Sequence, residues 1–369
     1  MVAKNYNSRI LLAIIGVFLF TFLINSKLIA SDGAETAEFN AGETIIHHVL
    51  DAHEIHFFTL NEGKADEFHA SIPLPIILYT ADNGVEIFSS AKFHNAEHKH
   101  GRYIMHHEKI YIANAEGVLE LDADGHSHNA QPLDFSLTKS ALGGVMVMFA
   151  MLFIFLSIAK SYKKRGIREP KGLQSFVEPI IIFIRDDVAK PCIGAKHEKF
   201  MPYLLSIFFF IWLCNLLGLI PFIGGFNITG NIAATLVLAV FTFIVTTFSG
   251  NKNYWQHIFA MPGVPPALWI LLTPIEIMGM LTKPVVLMLR LFANIVAGHI
   301  AILSFVSLIF IFAGMYGAAA GFGVSIVSLV FAMFINVIEI LVAFLQAYVF
   351  TLLSAIYFGS AVEEHHDAH

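Results

Sequence analysis

No lysine or arginine follows Arg290 in this chain of 369 residues. Charge is thin throughout: Asp, Glu, Lys and Arg together make up 14% of the sequence, where soluble domains carry nearer a quarter. That scarcity excludes an ordinary soluble domain. With 56% hydrophobic residues, several apolar runs reach the roughly 20 residues needed to span a bilayer, so the class implied is a polytopic membrane protein. Cysteine is nearly absent. Cys192 lies beside a charged segment and Cys214 inside an apolar one, which excludes a disulfide framework or a metal knuckle. Residues 31–136 hold no nucleophile–base arrangement, which argues against an exported enzyme on a membrane anchor. A non-catalytic chain without cofactor, resident metal or nucleic acid partner is expected. The formal net charge of −6 means little, because the charges are so unevenly placed.

The N-terminus has the form of a targeting segment. Lys4 and Arg9 make a basic region and Ile10 to Ile24 an apolar one, and "SKLIA" then precedes polar "SDGAE". Residues 1–30 are therefore a signal peptide cleaved after Ala30, or an uncleaved anchor helix, since Leu28 is larger than the usual small residue two places upstream. On either reading, the polar chain beyond Ala30 is expected to be exported. Residues 31–136 form a polar block with twelve of the eighteen histidines. Stretches such as "KIYIANAEGVLELDADG" alternate apolar and polar residues and end in turn residues, which predicts short strands and a small β-rich domain outside the membrane.

The first span after it is predicted from Ala141 to Ala159. It ends at "KSYKKRGIREPK", six basic residues within 160–171, a cytoplasmic loop by the positive-inside rule. "GLQSFVEPIIIFIRDDVAK" is too charged and short for a span and is read as an amphipathic helix at the cytoplasmic interface. A hairpin comes next: Phe200 to Phe222 outward, "GGFNITG" as the outer turn, Ile232 to Phe248 back, then "GNKNYWQH" with Trp255 at the inner surface. From Pro266 to Ala313 the chain is apolar but for Glu276, Lys283 and Arg290, and after "GMYGAAAGFG" it is apolar again from Val324 to Phe358 but for Glu339 and Gln346. Each stretch exceeds one vertical crossing. Either the first is two spans, or both are long helices oblique to the membrane. The predicted architecture is an all-α polytopic membrane domain, residues 137–362, with about five membrane helices, the interfacial helix and a polar tail at 363–369. The C-terminus is expected on the cytoplasmic side.

Glu276, Lys283 and Arg290 are spaced seven and seven, so a continuous helix places them on one stripe. Asn294 lies about 40° round from Arg290, and His299 about 180° round and some 13 Å along the axis. Glu339 and Gln346 are offset by only about 20°. An arginine at bilayer centre costs about 3 to more than 10 kcal/mol, depending on the scale used, and Arg290 is too deep in its segment to snorkel. It needs a counter-charge or a wet cavity. Structural explanations exist: an ion pair of Arg290 with Glu276 or Glu339, a buried hydrogen bond between Glu339 and His299, helix–helix contact through Gln346. A row of ionisable groups across a membrane nonetheless reads first as an ion path.

"KPVVLMLRLFANIVAGH" closely resembles the signature of subunit a of F-type ATP synthases. The resemblance runs from about residue 137 to 362 and includes "GLQSFVEPIIIFIRD", "NLLGLIP" at 215–221, "ALWILLTPIEIMGMLTKP" and "EILVAFLQAYVFTLLSAIYF". It implies that Arg290 is the arginine facing the carboxylates of a rotating c-ring, with Asn294 one turn on. It implies that His299 and Glu339 form a polar pair in the outer access channel. Other members carry the acid on the first helix and the histidine on the second; here they are exchanged. By position, Gln346 matches the glutamine packed near the arginine, Glu276 and Lys283 match polar positions ahead of it, and Asn215 a polar residue on the hairpin helix. Gly218 stands where some members have an aspartate.

On this resemblance the chain is the static half of a rotary motor in a bacterial inner membrane. Its partners are the c-ring subunits, the b subunits of the peripheral stalk, the rest of the complex and membrane lipid. A ring carboxylate must be protonated while it faces lipid, and it loses its proton opposite a fixed positive charge. Most members begin with a short polar tail, so the hundred or so polar residues here depart from the family. His94, His98 and His100 suggest metal binding, and the domain is otherwise a proton collector at the channel mouth or a solvated accessory. The alternative function is a metal-ion transporter with a histidine-rich exported domain.

Overall fold

A computed structural model describes Gly42 and residues 51–60, 68–94, 98–114, 117–122, 127–165, 169–220, 226–261 and 264–363. The expected signal or anchor segment and nearly all of the polar tail lie outside the described residues. The chain divides into two units. Met1–Phe39 with Phe58–Ala70 contributes only parts of two strands to the described residues; Asn40–Phe57 with Ser71–His369 holds the rest.

The first strands, β1 (Glu54–Leu60) and β2 (Phe68–Pro73), form a two-stranded sheet. "PIILYT" alternates in burial, as a strand with one face on a core must: in β3 (Pro75–Thr80), Ile76 and Leu78 are fully buried. It pairs antiparallel with β4 (Gly84–Ser89), Ile77 opposite Ile87. Strands β5 (Lys99–His100), β6 (Tyr103–His106) and β7 (Lys109–Ile112) form an antiparallel meander, and β8 (Leu133–Asp134) returns to the other edge of β3. Ile76, Leu78, Phe93, Tyr103 and Ile110 make the small core. The predicted β-rich character holds, but among the described residues of "KIYIANAEGVLELDADG" only β7 is a strand, with an isolated bridge from Leu121 to Ser127. Beyond β7 the Asn114 side chain accepts a hydrogen bond from the Val118 amide at 3.0 Å, and the Asn129 amide donates to the Ile112 carbonyl at 2.9 Å. Asparagine side chains offer the backbone an alternative to a ladder, and here they take it.

Seven α-helices of eight residues or more follow among the described residues. They are α1 (Lys139–Arg165), α2 (Leu173–Phe183), α3 (His197–Gly218), α4 (Ile232–Ser249), α5 (Lys252–Phe259), α6 (Pro266–Tyr316) and α7 (Ala318–Val362). Helix α2 opens into a π-helical segment, Ile184–Ala189, and one more turn, Lys190–Ile193. It is amphipathic as expected: Val177, Ile184 and Val188 are buried, while Asp186 pairs with Arg185 and Lys190 on the exposed side. Among the described residues five helical stretches are long and apolar enough to cross a membrane: α1, α2 running on through α3, α4, α6 and α7.

The stretch from Pro266 is one helix of 51 residues, not two spans. At 1.5 Å per residue it is about 77 Å long, over twice the roughly 30 Å of hydrocarbon in a bilayer. It cannot run along the membrane normal. "GMYGAAAGFG" was expected to separate the two stretches, but the reversal needs only Gly317, at φ +84° and ψ 170°. The alanines after it already belong to α7.

Between helices in lipid, apolar burial supplies little driving force, so close packing and interhelical hydrogen bonds hold the bundle. Leu204, Phe208 and Ile211 of α3 pack with Leu287 and Leu291 of α6 and Phe358 of α7. Tyr203 and Thr242 share a hydrogen bond of 2.7 Å between α3 and α4. "DAHEIH" reaches the helices directly. The Lys139 amide donates to the Ala52 carbonyl at 2.9 Å, and Ile55 joins a cluster with Val147, Cys214 and Phe226.

Candidate functional site

Helix α6 buries Pro284, Leu287, Met288 and Leu291, the one-face spacing of an amphipathic helix. Arg290 therefore points off that face. It lies beside the midpoint of α6, is exposed along with Asn294, and makes no hydrogen bond or ion pair among the described residues. The ion pairs that would have explained it structurally do not form. Glu276 faces His257 of α5, with Oε1 at 3.8 Å from Nδ1, and Glu339 lies further along. Lys283 sits over the ring of Tyr357 of α7, its Nζ 5.2 Å from the centroid, and Tyr357 is also within electrostatic reach of Arg290. The seven-residue stripe thus meets α7 at Tyr357, with Arg290 on its exposed edge.

The second group gathers where α6, α7 and α3 cross. Glu339 Oε1 lies so close to Gly298 that a Cβ there would overlap it, and Oε2 is buried without a hydrogen-bond partner. His299, the next residue, faces Gly218 of α3: a Cβ on Gly218 would stand 3.8 Å from His299 Nε2 and 3.1 Å from the Phe226 carbonyl oxygen. The structure therefore brings Glu339 and His299 to one crossing but forms no hydrogen bond between them among the described residues. Asn215 is buried and ties the crossing together, donating to the Ala343 carbonyl at 3.2 Å and accepting from Thr229 Oγ1 at 2.6 Å. Gln346 is buried on α7, one turn on from Ala343.

Four participants escaped the sequence. Asn227 and Thr229 lie in "GGFNITG", which reads as a turn; yet both amide atoms of Asn227 are buried without a partner among the described residues, and Thr229 is buried. Asp51 and Lys139 lie at the junction with the β region. Asp51 Oδ1 accepts from the Ser140 amide in the first turn of α1, and Oδ2 accepts from Asn231 Nδ2, each at 2.9 Å. Lys139 is within electrostatic reach of Asp51, Glu108 and His299. Nothing in the run "DAHEIH", residues 51–56, singles out the aspartate.

The three histidines suggested as metal ligands are engaged separately. His94 donates to Glu54 at 2.6 Å, His98 donates to the Phe93 carbonyl at 3.2 Å, and His100 lies against the Phe88 ring with centroids 4.8 Å apart. Among the described residues no three His, Cys, Asp or Glu side chains form a group fit to hold a metal ion. Elsewhere in the β region His53 donates to Asp134 at 3.0 Å. Burial alone would raise the Asp134 carboxyl, but the hydrogen bonds from His53 and Ser136 outweigh it and hold it below the ordinary carboxylate range.

The fold and site define a multi-pass membrane protein whose two longest helices carry an arginine without a partner among the described residues on one flank and a half-buried acid with a neighbouring histidine on another. Comparison with known proteins is direct. Residues 143–359 match the family model "ATP synthase A chain", and residues 44–135 match the model "Domain of unknown function (DUF8433)". The chain belongs to the ATP synthase A chain family. It is 45% identical over 317 residues to ATP synthase subunit a 2 of Chlorobaculum tepidum, covering 83% of this chain and 86% of that one. It is 43% identical over 284 residues to ATP synthase subunit a of Chlorobium phaeobacteroides strain DSM 266, covering 74% and 79%. A match covering 83% of the chain is too long to fit within residues 137–369. At least part of the polar N-terminal block, expected to depart from the family, is therefore shared with that relative.

Proposed function

We propose that this chain is the proton-translocating stator subunit of an F-type ATP synthase, with Arg290 facing the carboxylates of a rotating c-ring. It assembles with that ring, the b subunits and the rest of the complex in a bacterial inner membrane, its β region on the periplasmic side and its C-terminus in the cytoplasm. The observation that carries the reading is the state of Arg290. A permanently charged guanidinium stands in the middle of a 51-residue apolar helix, exposed, with no partner among the described residues. Such a charge is too costly to leave facing lipid, so a partner in the membrane must meet it. An acid on that partner is deprotonated opposite the guanidinium. Arginine also holds its own proton at any working pH, so it separates the two half-channels and does not leak protons between them.

Asn294, exposed one turn on, lies beside the acid's path, and Gln346, Lys283 and Glu276 support the same helix pair. His299 and Glu339, with Asn215 behind them, take up protons from the outer side. Each proton crossing 100 mV delivers about 2.3 kcal/mol to rotation. The test is ATP-driven acidification of membrane vesicles carrying the assembled complex. Arg290→Ala is expected to abolish it at normal complex content; coupled pumping that survives the substitution overturns the assignment.

A further inference from the structure

We infer that the N-terminal β region braces the outer proton entry: Asp51, by holding the starts of α1 and α4 together, positions the loop at 226–231 against Gly218 and His299. The inference rests on the proton-path reading above and assigns a task to a region that it leaves idle.

One carboxylate makes both contacts. Asp51 Oδ1 receives the Ser140 amide at 2.9 Å, and Oδ2 receives the side chain of Asn231 at 2.9 Å. Asn231 is itself the cap of α4, accepting from the Ala233 amide at 2.9 Å. An anion at the starts of two helices is well placed, since both present unpaired amides and a partial positive charge there. Residues 226–231 are wedged inward from this clamp. Phe226 and Ile228 pack where Gly143 of α1 has no side chain, with 2.8 Å and 3.0 Å left to a Cβ built there. The Phe226 carbonyl abuts Gly218, whose open side faces His299, and Thr229 donates to Asn215. Among the described residues two buried polar groups, the Asn227 amide and Glu339 Oε2, have no protein partner. Buried polar atoms of this kind are ordinarily met by water, and a row of water is what a proton needs to reach His299. Lys139, within electrostatic reach of both Asp51 and His299, puts the clamp and the entry in one neighbourhood. If the loop shifts, the wall of that passage shifts with it.

The clamp has a chemistry that can be reversed. Asn at 51 with Asp at 231 keeps an acceptor for Ser140, keeps a helix cap on α4, and restores the bond between the two side chains with donor and acceptor exchanged. The experiment compares wild type, Asp51→Ala, Asp51→Asn and the double variant Asp51→Asn/Asn231→Asp as whole complexes in membrane vesicles. Complex content, ATP hydrolysis and ATP-driven acidification are read together. Asp51→Ala and Asp51→Asn are expected to lower acidification per ATP hydrolysed roughly fivefold, the scale of a lost buried hydrogen bond, and the double variant to return it to within about twofold of wild type. A mere structural appendage would change complex content and leave the pumping ratio alone. Asp51→Ala with normal content and a normal ratio overturns the inference. Where Asp51→Ala fails to assemble, the double variant decides: rescue of content and ratio supports the brace, and a double variant no better than Asp51→Asn overturns it. An Arg290→Ala complex that still pumps would instead remove the proton-path reading beneath it.

Discussion

At the scale of single residues, the meeting of an acid and a histidine from the two long helices is the most telling feature of the chain. Glu339 on α7 and His299 on α6 come to one crossing, with the acid pressed against Gly298. A relay needs one group of each kind at that place, and it does not matter which helix supplies which. His299→Ala and Glu339→Ala are each expected to slow ATP-driven pumping roughly a hundredfold, the lower end of what a positioned acid–base group contributes. The double variant His299→Glu/Glu339→His is expected to recover a large part of the rate. Vesicle acidification of the three variants checks this, and a double variant as dead as the singles would mean that the pair does not act as a relay. The same scale holds a stability prediction in the β region. Asp134 is held below the ordinary carboxylate range, so its contribution is complete above about pH 4, the unfolded value, and is lost as pH falls through the folded one. Its neighbour Ser136 donates its amide to Asp134 Oδ1 at 2.8 Å. The protection of that amide against hydrogen exchange, taken relative to an open amide at the same pH, is expected to fall as pH drops below about 4, and Asp134→Asn to remove that pH dependence.

At the scale of elements, nearly every helix could be read from the run of apolar residues, because a bilayer imposes a length that few other structures share. The boundaries that failed were set by backbone chemistry at one or two residues. A stretch rich in glycine and alanine looked like a loop before α7, yet only Gly317 leaves the helix. Its φ and ψ fall in a region that is essentially closed to any residue with a Cβ, at a cost of about 1–3 kcal/mol. Gly317→Ala is expected to destabilise the α6–α7 hairpin by that amount, read as a lower unfolding temperature of the detergent-solubilised chain. Gly323→Ala, with nothing within 4 Å of the new Cβ and an ordinary helical backbone, is expected to be neutral or slightly stabilising. Strands were less legible than helices. Burial alternates along β3 but not along β7, where Ile110 and Tyr111 are both buried, and the side chains of Asn114 and Asn129 compete for the backbone beyond it.

At the scale of the molecule, sequence spacing fixes an angle about one helix axis but never which neighbour that angle meets. The seven-residue stripe of Glu276, Lys283 and Arg290 was readable for this reason, while the encounter of Glu276 with His257 and of Lys283 with Tyr357 was not. The Asp51 clamp was invisible for a related cause: it joins residues 180 apart in sequence, and no local pattern records so distant a pair. What the whole fold adds is a division of α6 into two flanks. Leu287 and Leu291 are 2% and 1% exposed and belong to the chain's own core. Arg290, Ala293, Asn294 and Ala297 are open, and many of the large side chains of α7, among them Val337 and Leu341, are exposed as well. If this open flank is where a c-ring turns, cysteines placed at Ala293 and Ala297 are expected to form disulfides with cysteines beside the ring carboxylate when the assembled complex is oxidised. Cysteines at Leu287 and Leu291 are expected to form none. The ring-facing products should include more than one ring position once ATP hydrolysis has been allowed to turn the rotor, since a static contact would trap only one. Cross-links confined to the Leu287 and Leu291 positions would place the ring on the wrong side of α6 and end the assignment of Arg290.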